Sequence, residues 1–385
     1  MLGVSTHLTL GLPRRLGTPP VNTALPVITQ TGSVLSVTTG TWTGTAPITY
    51  AYQITRNGTP VGAPSASQNY TIPDADLNAL FGCIVTATNS GGNASAAAAL
   101  LYVGVMDVLS VQPAVNFELR RESRSYTGNA IRVRRSSDNA EANIGFTAIG
   151  DLDTTALLTF VGSGNGFITI LYDKSGNGRN ATQTTPDNQP QIVSNGAIIT
   201  QGGRPALRFD GVNDYLAAAS PLIGTTHSLF ILFTPTIENE FGTVFGQWSS
   251  GQNGRFYVIA NQESAGPISV GRLNVANTTA TGGNGTNGLA AEVAISNTLT
   301  LITSISTTGS EQWKLFKNGA EWDSATITSV YTGVNSAIGS LNGTGSLLPF
   351  DGTVSELISF PSALSTTDRQ TLERNQGKYY SITVA

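Results

Sequence analysis

Trp313-Lys-Leu-Phe-Lys317 runs straight into Asn318-Gly319. Apolar and cationic residues trading places along five positions mark a half-buried strand, whose side chains point alternately to core and solvent. The Asn-Gly pair that closes the run is a two-residue hairpin, because both of its positions take positive φ. Leu229-Phe-Ile-Leu-Phe233 and the run from Leu299 to Ile305 are apolar enough to be central strands of the same sheet. The composition agrees over all 385 residues. The chain has 43 Gly, 28 Asn and 85 Ser plus Thr, with only 11% charged residues. Small polar residues punctuated by Gly, Asn and Pro describe short strands joined by tight turns. A helical bundle is excluded by this usage, and disorder by 39% hydrophobic residues with a net charge of -4. The expected class is all-β.

The 385 residues exceed one typical domain. Residues 1–20 read as an arm with alternating Leu8, Leu10 and Leu12, stiffened by Pro13 and Pro19-Pro20, that docks on a partner. Residues 21–104 carry strand-length runs such as Ile48–Ile54 and Cys83–Thr88, with turns at Asn57-Gly58 and Ser90-Gly91-Gly92. Residues 105–125 concentrate charge in Phe117-Glu-Leu-Arg-Arg-Glu-Ser-Arg124 and read as a linker, and 126–385 as a larger sandwich. Two helices interrupt it, one near Asp151–Phe160 capped by Asp151 or Asp153, the other over Thr366–Tyr379 behind Ser365. Trp42 is expected to plug the smaller core.

Two stretches of text are more specific. Gly40-Thr-Trp42-Thr-Gly44, Pro47-Ile-Thr-Tyr50 and Val85-Thr-Ala-Thr-Asn89 resemble the bacterial-type immunoglobulin-like repeats of phage virion proteins. Ser125-Tyr-Thr-Gly-Asn-Ala-Ile-Arg-Val-Arg-Arg-Ser-Ser-Asp138, Tyr172-Asp-Lys-Ser-Gly-Asn-Gly-Arg179 and Arg204-Pro-Ala-Leu-Arg-Phe-Asp-Gly-Val-Asn-Asp214 look like the catalytic-domain pattern of α-L-arabinofuranosidase B. The close, from Ile338-Gly-Ser340 to Tyr379-Tyr380, is similar to the last strands and helix of concanavalin A-like, laminin-G-like domains. The resemblances imply an N-terminal immunoglobulin-like sandwich followed by a concanavalin A-like jelly-roll sandwich.

Retaining glycosidases need two carboxyl groups about 5 to 5.5 Å apart. The resemblance places the nucleophile at Phe245-Gly-Gln-Trp-Ser249 and the acid/base at Ile338-Gly-Ser-Leu341, and neither stretch holds an acid. The expectation that follows is a non-hydrolysing relative. Glu321-Trp-Asp323 carries two acids of a β-glucanase-like signature but Thr326 replaces its third. The exposed-aromatic candidates for stacking a glycan are Trp248, Tyr257, Trp322 and Tyr331.

The local charge anomaly is arginine: Arg120, Arg121, Arg124, Arg132, Arg134 and Arg135 fall within 16 residues. Pairing with Glu118, Glu122, Asp138 and Glu141 is the plainer reading. An anion site at Arg132, Arg134 and Arg135 for phosphorylated or acidic sugar is the sharper one. Asp173, Asp210 and Asp214 offer oxygen ligands to Ca²⁺, although Asx residues beside Gly also simply build turns. Cys83 has no partner for a disulfide, and His7 and His227 cannot form a zinc site. No other cofactor is implied. The balance of 20 basic and 24 acidic residues gives no nucleic-acid footprint, and no apolar run inserts in a membrane. Domains of extracellular type without a signal peptide suggest a virion location. The expected protein is a bacteriophage surface protein, a fibre or decoration, that meets other virion proteins through its arm and host cell-surface polysaccharide through its sandwich, as a homo-oligomer. A purely structural decoration and an arabinofuranosidase-like glycosidase are the alternatives.

Overall fold

The hairpin at Asn318-Gly319 forms as its residues require, with φ of +48° and +81°. In the computed structural model, Gln312–Lys317 and Ala320–Thr326 pair across it. The structure describes residues 17–218, 221–236, 242–248, 255–262, 271–278, 294–295, 298–307, 312–326, 335–341 and 348–385. The first sixteen positions of the expected docking arm lie outside that set, as does the Gly-rich stretch near 282–288. Among the described residues no helix is long and apolar enough to cross a membrane.

The chain divides into two compact units. Residues up to Ile72 with Leu80–Leu101 form one; Pro73–Ala79 with Tyr102–Ala385 form the other. In the smaller unit, Ile28–Thr31, Val34–Val37 and Asn69–Thr71 make a three-stranded antiparallel sheet. Thr49–Arg56 pairs with Ala79–Asn89, which pairs in turn with Gly92–Ala97. Leu35, Val37, Tyr52, Phe81 and Val85 fill its interior. Trp42 does not plug this core: it is half-buried, leans on Tyr50 with ring centroids 6.4 Å apart, and spends its indole N–H on the Thr39 carbonyl. A three-residue strand at the rim, Thr41–Thr43, is too short to carry the ring inward.

The larger unit is an all-β sandwich. Leu229–Phe233 lies at the middle of His227–Pro235, hydrogen-bonded on one side to Thr300–Ser306 and on the other to Asp351–Phe360. All five of those residues are buried. The opposing sheet includes Ile131–Arg135 between Glu141–Ile144 and Gly166–Leu171. Ile131, Val133, Ile168, Phe209, Phe233 and Phe245 meet in the core. The second face of the central strands is covered by the C-terminal helix, Thr366–Tyr380, whose N-cap Ser365 hydroxyl accepts the Asp368 amide. Leu232, Leu301 and Tyr380 pack there. This cover explains why Phe316, on the cation-bearing face of its hairpin, is buried, with Arg369 stacked 3.9 Å above its ring. The other helix is Thr154–Val161, capped by Asp153.

Residues 105–125 are not a linker. Val115–Glu118 is a fully buried strand in register with Asp351–Phe360, and the charge density that suggested exposure is interior. Arg120 lies among Glu118, Glu122 and Glu356, all four essentially inaccessible to solvent. Buried charges persist in this way only when paired.

Candidate functional site

The arginine cluster splits by partner. Arg132 meets Glu141 at 2.6 Å, Arg135 meets Asp138 at 2.7 Å, and Arg120 holds the buried glutamates. The hydrogen bond from Arg135 holds the Asp138 carboxyl down at about 2. Arg134 pairs differently. It leaves the strand toward a polar cleft of about 580 Å³ and has no carboxylate partner among the described residues.

That cleft is built from four pieces of chain. Arg134 and Phe167 come from adjacent strands. Asp187 and Gln189 come from the turn that precedes Gln191–Ser194, and Gln191 opens that strand. Arg208, Asp210 and Asp214 come from the strand Leu207–Asp210 and the tight loop after it. The loop is fixed by its own side chains. One Asp210 oxygen accepts the amides of Val212 at 2.8 Å and Asn213 at 3.2 Å, and Asp214 accepts the amide of Asp210 at 3.1 Å. Arg208 is anchored on Asp351 and the Gly352 carbonyl. Beneath the loop, Gly339 takes φ +86°, and a Cβ there would strike Phe209 and the Asp214 carbonyl.

Electrostatics separates the two loop acids. Burial, and then the charge of Asp210, push the Asp214 carboxyl up to about 7, against the smaller lowering effects of the Asp210 amide and Arg208. A carboxyl whose pKa is raised to about 7 in a cleft has the proton affinity of a general acid. Gln189 is committed within the fold, accepting from Arg134 at 2.7 Å and donating to the Gln183 carbonyl at 3.1 Å, while Gln191 donates to the Val193 carbonyl at 2.9 Å.

The other candidates are placed as follows. Asp173 is a loop clamp: its carboxylate accepts the amides of Asn116, Ser175 and Arg179 and the Ser175 hydroxyl, all within 3.0 Å. Trp322 is half-buried against the core. Trp248 and Tyr257 are strand positions opposite Asn335 and Gly246, and their side chains lie outside the described set, as does Tyr331 altogether. Asp187, Gln189, Gln191 and Phe167 were not legible as site residues, since only folding brings their turn and strands to the Arg208–Asp214 loop. Among the described residues, Glu118, Glu122 and Glu356 are the acids that lie close enough to share a cation, but the Arg120 guanidinium already stands between them.

The family profile described as alpha-L-arabinofuranosidase B, catalytic, matches residues 114–223. Every residue lining the cleft lies inside that stretch. The larger unit is an arabinofuranosidase-like β-sandwich. A GH54 α-L-arabinofuranosidase soaked with a cyclic sulfate inhibitor aligns at TM-score 0.55 and 16% identity, covering 71% of this chain and 64% of that one. An arabinofuranosidase complexed with arabinofuranosyl-α-1,2-xylobiose aligns at 0.56 and 16%, covering 72% and 65%. The chain thus spans about 65% of the length of these enzymes, and at this identity the likeness establishes fold. No curated protein matches the sequence.

These matches overturn the expectation of a non-catalytic bacteriophage surface protein and point to the alternative, an arabinofuranosidase-like glycosidase. At the stretches where the resemblance places the two acids, the described side chains are interior, while Ser249 and the side chain of Trp248 lie outside the described residues. Gln247 is fully buried, and its side chain accepts the amides of Leu222 and Ile223 at 2.9 and 3.0 Å while donating to the Ile223 carbonyl. Ile338 and Ser340 are equally inaccessible.

Proposed function

We propose that the larger unit is a glycosidase that removes α-L-arabinofuranosyl groups from a glycan. What carries this reading is the cleft whose entire lining falls within the family-matched stretch and which pairs a neutral Asp214 with the charge of Asp210. Asp214 gives its proton to the glycosidic oxygen as the carbon–oxygen bond breaks, and Asp210 stabilises the positive charge that develops on the sugar. Water then supplies hydroxide to the anomeric carbon and returns the proton to Asp214.

Turnover of 4-nitrophenyl α-L-arabinofuranoside by the full chain is the direct test. Asp214→Asn and Asp210→Asn should each lower kcat/KM by about 10² to 10⁴, the range for a lost acid/base group. No release of nitrophenol by the wild-type chain at high loading would remove the proposal. Full activity in Asp214→Asn would return that loop to a purely structural role.

A further inference from the structure

Arg134 is held in a way that ordinary structure does not require. Its Nε donates to Gln189 Oε1 at 2.7 Å, one terminal nitrogen to Asn139 Oδ1 at 2.8 Å, and the other to the Pro186 carbonyl at 3.2 Å. Phe167 lies under it with the ring centroid 4.8 Å from the guanidinium carbon. Four contacts fix its plane, and every acceptor is a neutral oxygen. The side chain is 9% exposed, and no carboxylate among the described residues comes within ion-pair distance. Of the five guanidinium N–H groups, two remain, one on each terminal nitrogen.

A desolvated cation without a counter-charge is costly, and the cost is recovered only when an anion arrives. The acids of the cleft do not supply one. The charged groups that bear on Asp214 are Asp210 and Arg208, and Arg134 is not among them. The cleft therefore holds two cations of different standing: Arg208, paired with Asp351, and Arg134, which has no ion-pair partner among the described residues. Two free N–H groups on a rigid planar fork match a planar carboxylate, which accepts them side by side.

We propose that Arg134 binds the carboxylate of a uronic acid, so that the cleft selects acidic glycans over neutral ones. The arabinofuranosyl half of this substrate rests on the glycosidase reading above; the acidic half does not. The carboxylate takes the two N–H groups that Arg134 does not spend within the fold.

Calorimetric titration of the full chain with trigalacturonate, with its carboxyl-reduced neutral counterpart and with a sulfated trisaccharide tests this. Trigalacturonate should bind about tenfold more tightly than the reduced sugar, a difference of about 1.4 kcal/mol. Raising NaCl should shrink that preference. R134Q should abolish it, R134K should keep part of it because charge survives without the fork, and R132Q should leave it intact because Arg132 is already paired with Glu141. Equal affinities for the acidic and reduced sugars, or an R134Q variant that still discriminates, would overturn the proposal, and equal binding of the sulfated sugar would overturn the assignment to carboxylate. Should R134Q not fold, the wild-type comparison decides alone. Cleavage of the neutral nitrophenyl substrate without acidic preference defeats this inference and spares the glycosidase reading. Arg134-dependent uronate binding without turnover does the reverse.

Discussion

Asp214 is caught between its loop and its surroundings. Burial and Asp210 favour the neutral form, and the pKa rises from the ordinary 3.8 to about 7. The folded chain therefore keeps a proton that the unfolded chain surrenders, and stability contributed by that proton is present below about pH 4 and lost as pH climbs through 7. At 1.36 kcal/mol per unit the shift is worth about 4 kcal/mol, and partial solvation of the cleft reduces this to roughly 2. Asp214→Asn carries no such proton. Its urea-denaturation free energy, taken relative to wild type between pH 4 and 8, should gain about 2 kcal/mol as pH rises. Parallel profiles for the two proteins would show that Asp214 ionises as an ordinary surface acid. The Arg208-Phe-Asp-Gly-Val-Asn-Asp214 motif was legible as a turn, because Asx–Gly chemistry is local. Its pKa shift was not, because burial is set by the strands and the turn that folding brings to the cleft.

At the scale of elements, register decides where charge goes. Pairing of Val115–Glu118 with Asp351–Phe360 sets Glu118 opposite Glu356, and the C-terminal helix adds Asn375 on Arg120 and Gln376 on Glu356. Three glutamates face one guanidinium in the buried interior. Burial, reinforced by Glu122 and Glu356, holds Glu118 well above the usual carboxylate range. Glu118→Gln, which keeps the shape of a side chain whose burial disfavours charge, should change stability by less than about 1 kcal/mol. Arg120→Met strands the remaining carboxylates and should cost about 3–5 kcal/mol in guanidinium denaturation. Equal losses in the two variants would mean that Glu118 is ionised and paired. The hairpin at Asn318-Gly319 and both helices could be read from the sequence, since strand alternation, turn and cap signals act over a few residues. Glu118 and Glu356 stand more than two hundred residues apart, and no local pattern announces that two acids will share a guanidinium. For the same reason the charged run 117–124 looked like a solvated linker.

The division of the whole chain is uneven in sequence, and that has a consequence for how it can be cut. Pro73–Ala79 lies within the span read as the first domain but belongs to the larger unit. Asp74 ion-pairs with Arg374 at 2.6 Å, and the Asp74 carbonyl accepts from Asn375 at 3.0 Å. Asn78 donates its side-chain amide to Asn375 at 2.8 Å, while its Oδ1 accepts the Val105 amide. Asn375 in turn orients Arg120. A fragment beginning at Tyr102 lacks all of these partners, although by sequence it contains every strand of the sandwich. It leaves Asn375 and the Val105 amide short of hydrogen bonds in a buried setting, where each unsatisfied group costs about 1–3 kcal/mol. The fragment 102–385 should therefore unfold with about 3 kcal/mol less stability than the same unit in the full chain, and Asn78→Ala in the full chain should lower the transition of the larger unit alone. Denaturation followed by far-ultraviolet circular dichroism and by the fluorescence of Trp313, a fully buried core residue of the larger unit, reports the comparison. If the fragment matches the full chain, Pro73–Ala79 is a passenger on the larger unit, and the domain boundary can be drawn as a single cut near residue 102.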